Sequence, residues 1–193
     1  MLRAIDKAFE LGIESIKLNV VAMRNFNDDE LIDFVELTRE CPLDVRFIEF
    51  MPFDKNDWKN QKFISMSEMH EIVERNYTAE AVEKIANEPA SSTSKGYRIA
   101  GYQGQLGYIS SMSKHFCGGC NRIRITADGN LKVCLFDNRE VNLKQMLENE
   151  EFENDDEAIV EVIKQALGKK HYSHGGVDSI LKRSNRAMVK IGG

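Results

Sequence analysis

The sequence predicts a mixed α/β chain, with βα units of a parallel sheet over residues 1–52 and an α+β domain with antiparallel strands over residues 53–193. Three observations lead there. Apolar residues in the first fifty positions recur first at helical and then at strand spacing, and then repeat that succession. The order helix, strand, helix, strand with short connections is that of a βα repeat. From Tyr97 onward the pattern changes to short strands punctuated by glycine turns, which suits antiparallel pairing.

Residues 1–11 place Leu2, Ile5, Phe9 and Leu11 near one stripe of a helix, which opens without an N-cap residue and stops at Gly12. Residues 15–23 form a strand in which Ile16, Leu18 and Val20 alternate with Lys17, Asn19 and Val21. Asn27-Asp28-Asp29-Glu30 has the form of a capping box for a helix containing Leu31, Ile32, Val35 and Leu37. Pro42 follows that helix, and residues 43–50 are a second strand. Parallel sheets bind ligands at the C-terminal ends of their strands, where Arg46, Glu49 and Met51 fall. On the residues alone Met51 reads as core.

Ser65-Met66-Ser67-Glu68 caps a helix through Met69, Ile72 and Val73. Residues 88–96 are a turn-rich connection, and residues 97–100 and 105–110 are strands joined by a turn at Gly101 to Gly104. Residues 143–147 look helical, residues 148–157 are an acidic, solvated run, and residues 158–167 are a helix stopped by Gly168. Lys169, Lys170 and His171 suit the C-terminal end of that helix dipole. Residues 186–191 read as extended.

A formal net charge of −5 gives no global basic field for nucleic acid or an anionic membrane, so any anion site must be local. No apolar run approaches the roughly 20 residues that span a bilayer. Four cysteines in 193 residues do not make a disulfide scaffold, and their clustering favours metal ligation in a reducing compartment.

Cys117, Cys120 and Cys134 stand in a C-x2-C-x13-C arrangement, with Arg122 and Arg124 between the second and third. Gly118 and Gly119 can take positive φ, which lets the turn wrap an ion without side-chain clashes. Residues 122–127 and 130–135 read as a hairpin with Asp128-Gly129 at the bend. A two-residue loop would pair Ala127 with Asn130 and mix apolar with polar side chains on both faces. A three-residue loop with Gly129 left-handed pairs Thr126 with Asn130 instead. That register puts Ile123, Ile125, Leu131, Val133 and Leu135 on one face, with Arg122, Arg124, Lys132 and Cys134 on the other. A slip of one residue reverses every side chain, so the segregated register is expected if one face is buried. Its wet face would hold Cys134 beside two guanidinium groups, a site for an anion that also meets metal.

Spacing alone leaves the metal open. A closed structural zinc needs a fourth ligand, for which His115 and Cys41 are candidates. An iron–sulfur cluster on three cysteines would keep one iron open to a substrate. Cys41 precedes Pro42 outside the motif and reads better as a buried thiol.

The run Cys-Gly-Gly-Cys-Asn-Arg-Ile-Arg-Ile-Thr-Ala-Asp-Gly-Asn-Leu-Lys-Val-Cys-Leu-Phe at 117–136 resembles the C-terminal cluster motif of the GTP 3′,8-cyclase family, the radical S-adenosylmethionine enzymes that open molybdenum-cofactor biosynthesis. The resemblance extends to Asp-Val-Arg-Phe-Ile-Glu-Phe-Met-Pro at 44–52 and to the terminal Gly192-Gly193. It implies the last βα units of an incomplete radical-enzyme (βα) barrel, followed by an α+β cluster-binding domain. It also implies conversion of GTP to (8S)-3′,8-cyclo-7,8-dihydroguanosine 5′-triphosphate. Cys117, Cys120 and Cys134 would hold a 4Fe–4S cluster, while Lys17, Arg122, Ile123 and Arg124 would bind GTP. Met51 would contact S-adenosylmethionine, Arg46 would line the cavity, and Gly192 and Gly193 would act at the catalytic centre.

The family's N-terminal C-x3-C-x2-C motif, which holds the second 4Fe–4S cluster and S-adenosylmethionine, is absent from these residues. The chain is therefore expected to be a C-terminal part, inactive alone. Its implied partners are GTP and, downstream, the cyclic pyranopterin monophosphate synthase that takes the product; a homodimer is compatible, and nucleic acid and membrane are not expected. The implied compartment is the cytoplasm for a bacterial source and the mitochondrial matrix for a eukaryotic one. The competing reading is a zinc-binding interaction or nucleic-acid module, with His115 as fourth ligand and the arginines as a basic patch.

Overall fold

The computed structural model describes every residue except 1, 88, 90, 150, 151, 153, 154, 192 and 193. It is mixed α/β and divides into two compact units, Met1–Met51 with Lys59–Phe116, and Pro52–Trp58 with Cys117–Gly193.

In the first unit, helix α1 (Leu2–Glu10) leads to strand β1 (Ile16–Ala22), then a 3₁₀ turn at Asp28–Glu30, helix α2 (Leu31–Glu36) and strand β2 (Leu43–Glu49). β1 and β2 run parallel, as a βα unit requires, with Lys17 opposite Asp44 and Asn19 opposite Arg46. The capping box expected at Asn27 does not form. The Asn27 side chain instead accepts from the Met23 backbone N–H at 2.8 Å, closing the turn that precedes α2. At helix α3 (Met66–Tyr77) the expected box is present, with Ser65 and Glu68 satisfying each other's backbone N–H.

Strands β3 (Val82–Lys84), β4 (Lys95–Ile99) and β5 (Gln105–Ile109) complete a five-stranded sheet in the order β1-β2-β5-β4-β3. β5 lies parallel beside β2, and β4 and β3 add antiparallel, so residues grouped by sequence with the second domain belong to the first unit's sheet. The alternation of β1 sorts its side chains. Leu18 and Val20 pack with Val45, Phe47, Leu106, Tyr108 and the apolar faces of α2 and α3, while Lys17, Asn19 and Val21 are exposed. Buried Glu49, at the end of β2, accepts from the backbone N–H groups of Met66 (2.8 Å), Met112 (2.7 Å) and Ser113 (2.9 Å). That carboxylate fixes both the start of α3 and the segment that runs on to Cys117.

The second unit contains a three-stranded antiparallel sheet, β6 (Arg124–Ile125), β7 (Asn130–Lys132) and β8 (Val141–Asn142). Helices α4 (Leu143–Leu147) and α5 (Asp156–Gly168) follow, then α6 (Val177–Leu181). Leu131, Val133 and Leu143 form its small apolar core, joined by Met146, Ile163 and Ala166. The segment expected to be extended near the end of the chain instead makes a 3₁₀ turn at Met188–Lys190.

Candidate metal and anion site

The hairpin adopts the segregated register. Arg124 pairs with Lys132 and Ile125 with Leu131, the Thr126 N–H donates to the Asn130 carbonyl at 2.9 Å, and Gly129 has φ of +80°. The three-residue loop is braced by Thr126, whose hydroxyl donates to Asp128 at 2.6 Å and accepts from the Asn130 N–H at 3.0 Å. Arg124 and Lys132 therefore share a face, but the ladder is shorter than the expected strands: it ends at Lys132, and the chain bends at Val133 before Cys134.

The sorting into dry and wet faces is corrected. Ile123 and Ile125 are 46% and 67% exposed, because β6 is a two-residue edge strand outside the Leu131–Val133–Leu143 core. Lys132 has no exposed surface. Its Nζ donates to the Asp137 carbonyl and, at 3.0 Å, to Asn185 Oδ1, with Glu140 at 3.6 Å, so residues 137–140 and 185 cover the face expected to be wet. Burial lowers the Lys132 pKa, and Glu140 works against that shift.

Cys117–Gly119 form a 3₁₀ turn, closed by the Cys120 N–H on the Cys117 carbonyl at 3.1 Å. Neither Gly118 nor Gly119 is among the positive-φ residues, contrary to the wrapping argument. Gly118 matters for space, since a Cβ there would come within 2.9 Å of the Tyr172 hydroxyl. All three cysteines are half-buried. Burial raises the Cys117 pKa; the His174 backbone N–H opposes that, and the neighbouring Cys134 and Cys120 add to it. Arg124 is lowered by burial and by Arg122 beside it, while Cys120 and Cys134 favour its charge. Arg122 is exposed and Arg124 half-buried.

Lys170 was read from sequence only as a helix-end charge. It reaches the turn, donating to the carbonyls of Cys120 (2.9 Å) and Arg122 (3.1 Å) and lying 3.6 Å from Cys120 Sγ. Two sulfurs thus have a donor near them, the Lys170 ammonium for Cys120 and the His174 backbone N–H for Cys117. A single tetrahedral zinc would hold its sulfurs about 3.8 Å apart. Among the described residues the three cysteine sulfurs do not all lie within 4.8 Å of one another.

Lys17, Arg46 and Met51 belong to the first unit. Lys17 is exposed at the second position of β1, where it borders a cleft of about 180 Å³ with Asp44, Arg98 and Gln105. That cleft lies at the starts of β1, β2 and β5. Arg46 donates to Asp44 at 2.9 Å on the same face of the sheet. Met51 is half-buried just beyond β2. Cys41 is half-buried rather than enclosed, and His115 is exposed near the end of the first unit. Gly192 and Gly193 lie outside the described residues.

Residues 43–176 match the protein family described as Molybdenum Cofactor Synthesis C. The chain is 48% identical to mouse "Molybdenum cofactor biosynthesis protein 1", with 100% of this chain and 29% of that protein covered. It is 45% identical to Arabidopsis thaliana "GTP 3′,8-cyclase, mitochondrial", covering 100% of the chain and 48% of the relative. It is also 45% identical to the "GTP 3′,8-cyclase" of Syntrophomonas wolfei, covering 98% and 57%. The chain therefore spans between about a third and somewhat over half of the lengths of these relatives.

Proposed function

Because the chain belongs to the Molybdenum Cofactor Synthesis C family, we propose that it is the substrate-binding part of a GTP 3′,8-cyclase. In this reading Cys117, Cys120 and Cys134 hold a 4Fe–4S cluster whose fourth iron is left for the guanine of GTP. Bound there, the cluster would supply a Lewis-acidic anchor for the base. The observation that carries the reading is the shared environment of Arg124 with Cys120, Cys134 and Arg122. It offers guanidinium donors for triphosphate oxygens beside sulfur ligands.

Ile123, between the arginines, presents exposed apolar surface to the nucleotide, and Lys17 adds a further cation. Arg46 lines the cavity, and Met51 contacts S-adenosylmethionine. Gly192 and Gly193 act at the catalytic centre. The first unit's parallel strands are the last of a radical-enzyme barrel, and S-adenosylmethionine with its own cluster belongs to the longer protein. Fixing ribose C3′ and guanine C8 of one GTP relative to each other is a proximity effect, to which Arg122 and Arg124 contribute by holding the triphosphate.

Anaerobic reconstitution should give a brown protein with about four irons and four sulfides per chain, the content of one such cluster. Replacing both Arg122 and Arg124 with alanine should weaken GTP binding at least tenfold in a titration while iron is retained. A colourless protein with one zinc, or unchanged GTP affinity in the double variant, contradicts the assignment.

A further inference from the structure

Between α5 and α6 the chain runs past the cysteine turn, and its alternate residues meet that turn one after another. Lys170 donates to the Cys120 and Arg122 carbonyls and approaches Cys120 Sγ. Tyr172 lies over Gly118, in the space where any side chain would collide with its hydroxyl. The His174 backbone N–H reaches Cys117, and one nitrogen of its ring lies within 4.8 Å of that sulfur. The segment bends at Tyr172 and Ser173 between its first and last contacts.

Both ends of the segment are pinned. At the start, Arg139 Nη2 donates to the Lys169 carbonyl at 2.9 Å, while its guanidinium grips the Asp137 carboxylate. At the end, the His174 ring is buried, 5.1 Å from Phe136, and its Nδ1 accepts the Gly176 N–H at 3.0 Å. An Nδ1 that accepts leaves the proton of a neutral imidazole on Nε2, so the ring in this state is a donor and not a metal ligand.

We infer that residues 170–174 are a positioning strap for the cysteine turn, and that Lys170 is its electrostatic element, holding Cys120 in place and setting the reduction potential of the cluster bound there. The inference rests on the iron–sulfur reading above. Lys170 does not touch substrate; it acts through Cys120. A fixed cation beside a thiolate ligand favours whichever oxidation state carries more negative charge, which is the reduced one, so it raises the potential. Its two carbonyl contacts also hold the backbone on either side of Asn121, restricting the motion by which a ligand leaves its iron.

The test compares anaerobically reconstituted wild type, Lys170→Met and Lys170→Arg of the whole chain. Iron and sulfide content, the midpoint potential from an EPR-monitored dithionite titration, and the rate of iron loss to a chelator are the readouts. Lys170→Met should move the midpoint to a more negative value and lose iron several-fold faster. Lys170→Arg, which keeps the charge, should hold the midpoint near that of the wild type. A methionine variant that folds but takes up no cluster also supports the strap, provided the arginine variant takes up a full complement. A fully loaded wild type whose methionine variant has the same potential and the same iron-loss rate overturns the strap alone. A wild type that takes up no iron overturns the iron–sulfur reading and the strap with it.

Discussion

The central part of the first unit's sheet buries Val45, Phe47, Leu106 and Tyr108 completely, whereas the middle strand of the second unit's sheet buries a lysine to the same degree. The first unit is organised by apolar area. Its core takes in the three parallel strands β1, β2 and β5 with α2 and α3, and Phe47 packs against Phe34 and Tyr108 with ring centroids 6.5 and 6.0 Å away. The second unit has few apolar residues to bury and is organised by charge. Arg186 bridges Asp128 and Glu140, each at 2.7 Å; Glu140 lies near Lys132; and Arg139 grips Asp137. An apolar core tolerates small displacements of its parts. A network of directional bonds does not, and that intolerance suits the proposed site, in which three sulfurs and two guanidinium groups are held at fixed spacing.

The two units can be followed separately in solution. The single tryptophan, Trp58, belongs to the second, and four of the five tyrosines, Tyr77, Tyr97, Tyr102 and Tyr108, belong to the first. The largest effect should come from Phe47→Ala, which removes a fully buried ring and should cost about 3–5 kcal/mol in denaturant titrations followed by the tyrosine signal. A shift of equal size in the Trp58 transition would break the distinction, because the two cores would then unfold as one.

Next in size is Lys132→Met. It keeps the volume of the side chain but deprives the Asp137 carbonyl and Asn185 of a buried donor, and should cost about 1–3 kcal/mol in the Trp58 transition. A neutral or stabilising result would mean that the second unit is held by its apolar contacts after all.

The smallest effect concerns pH. Burial would raise the Asp137 pKa, but the bonds and charge of Arg139 outweigh it and hold the carboxyl below its ordinary value. Its contribution to stability is therefore complete above the unfolded carboxylate value near pH 4 and is lost as pH falls below that. Asp137→Asn should flatten the acid limb of the Trp58 stability curve below about pH 4. An unchanged acid limb would place the sensitivity of the second unit elsewhere.

Local order was legible where one covalent pattern admits one good solution. The Ser65–Glu68 box followed from four adjacent residues, and the alternation of β1 from seven. The hairpin register followed because a slip of one residue would have mixed its faces. The same logic failed for Ile125 and Lys132. Alternation tells which side chains share a face, and what covers that face comes from residues 137–140 and 185, whose arrival no local period records. The strap was missed for the same reason. Lys170, Tyr172 and His174 carry a spacing of two in the sequence, but with no strand partner in sight Lys169, Lys170 and His171 read only as charges suited to the end of the preceding helix.

The amino-acid order was enough to place three thiols and two guanidiniums within eighteen positions of each other, on a tight turn and the hairpin that follows it. It was not enough to say that residues 105–109 would slot in beside β2, or that a segment some fifty residues downstream would close over Cys120. Such pairings are chosen by matching surfaces formed only after each segment has folded. They are won against the entropy of closing long loops, and nothing in the local periodicity of either partner encodes them.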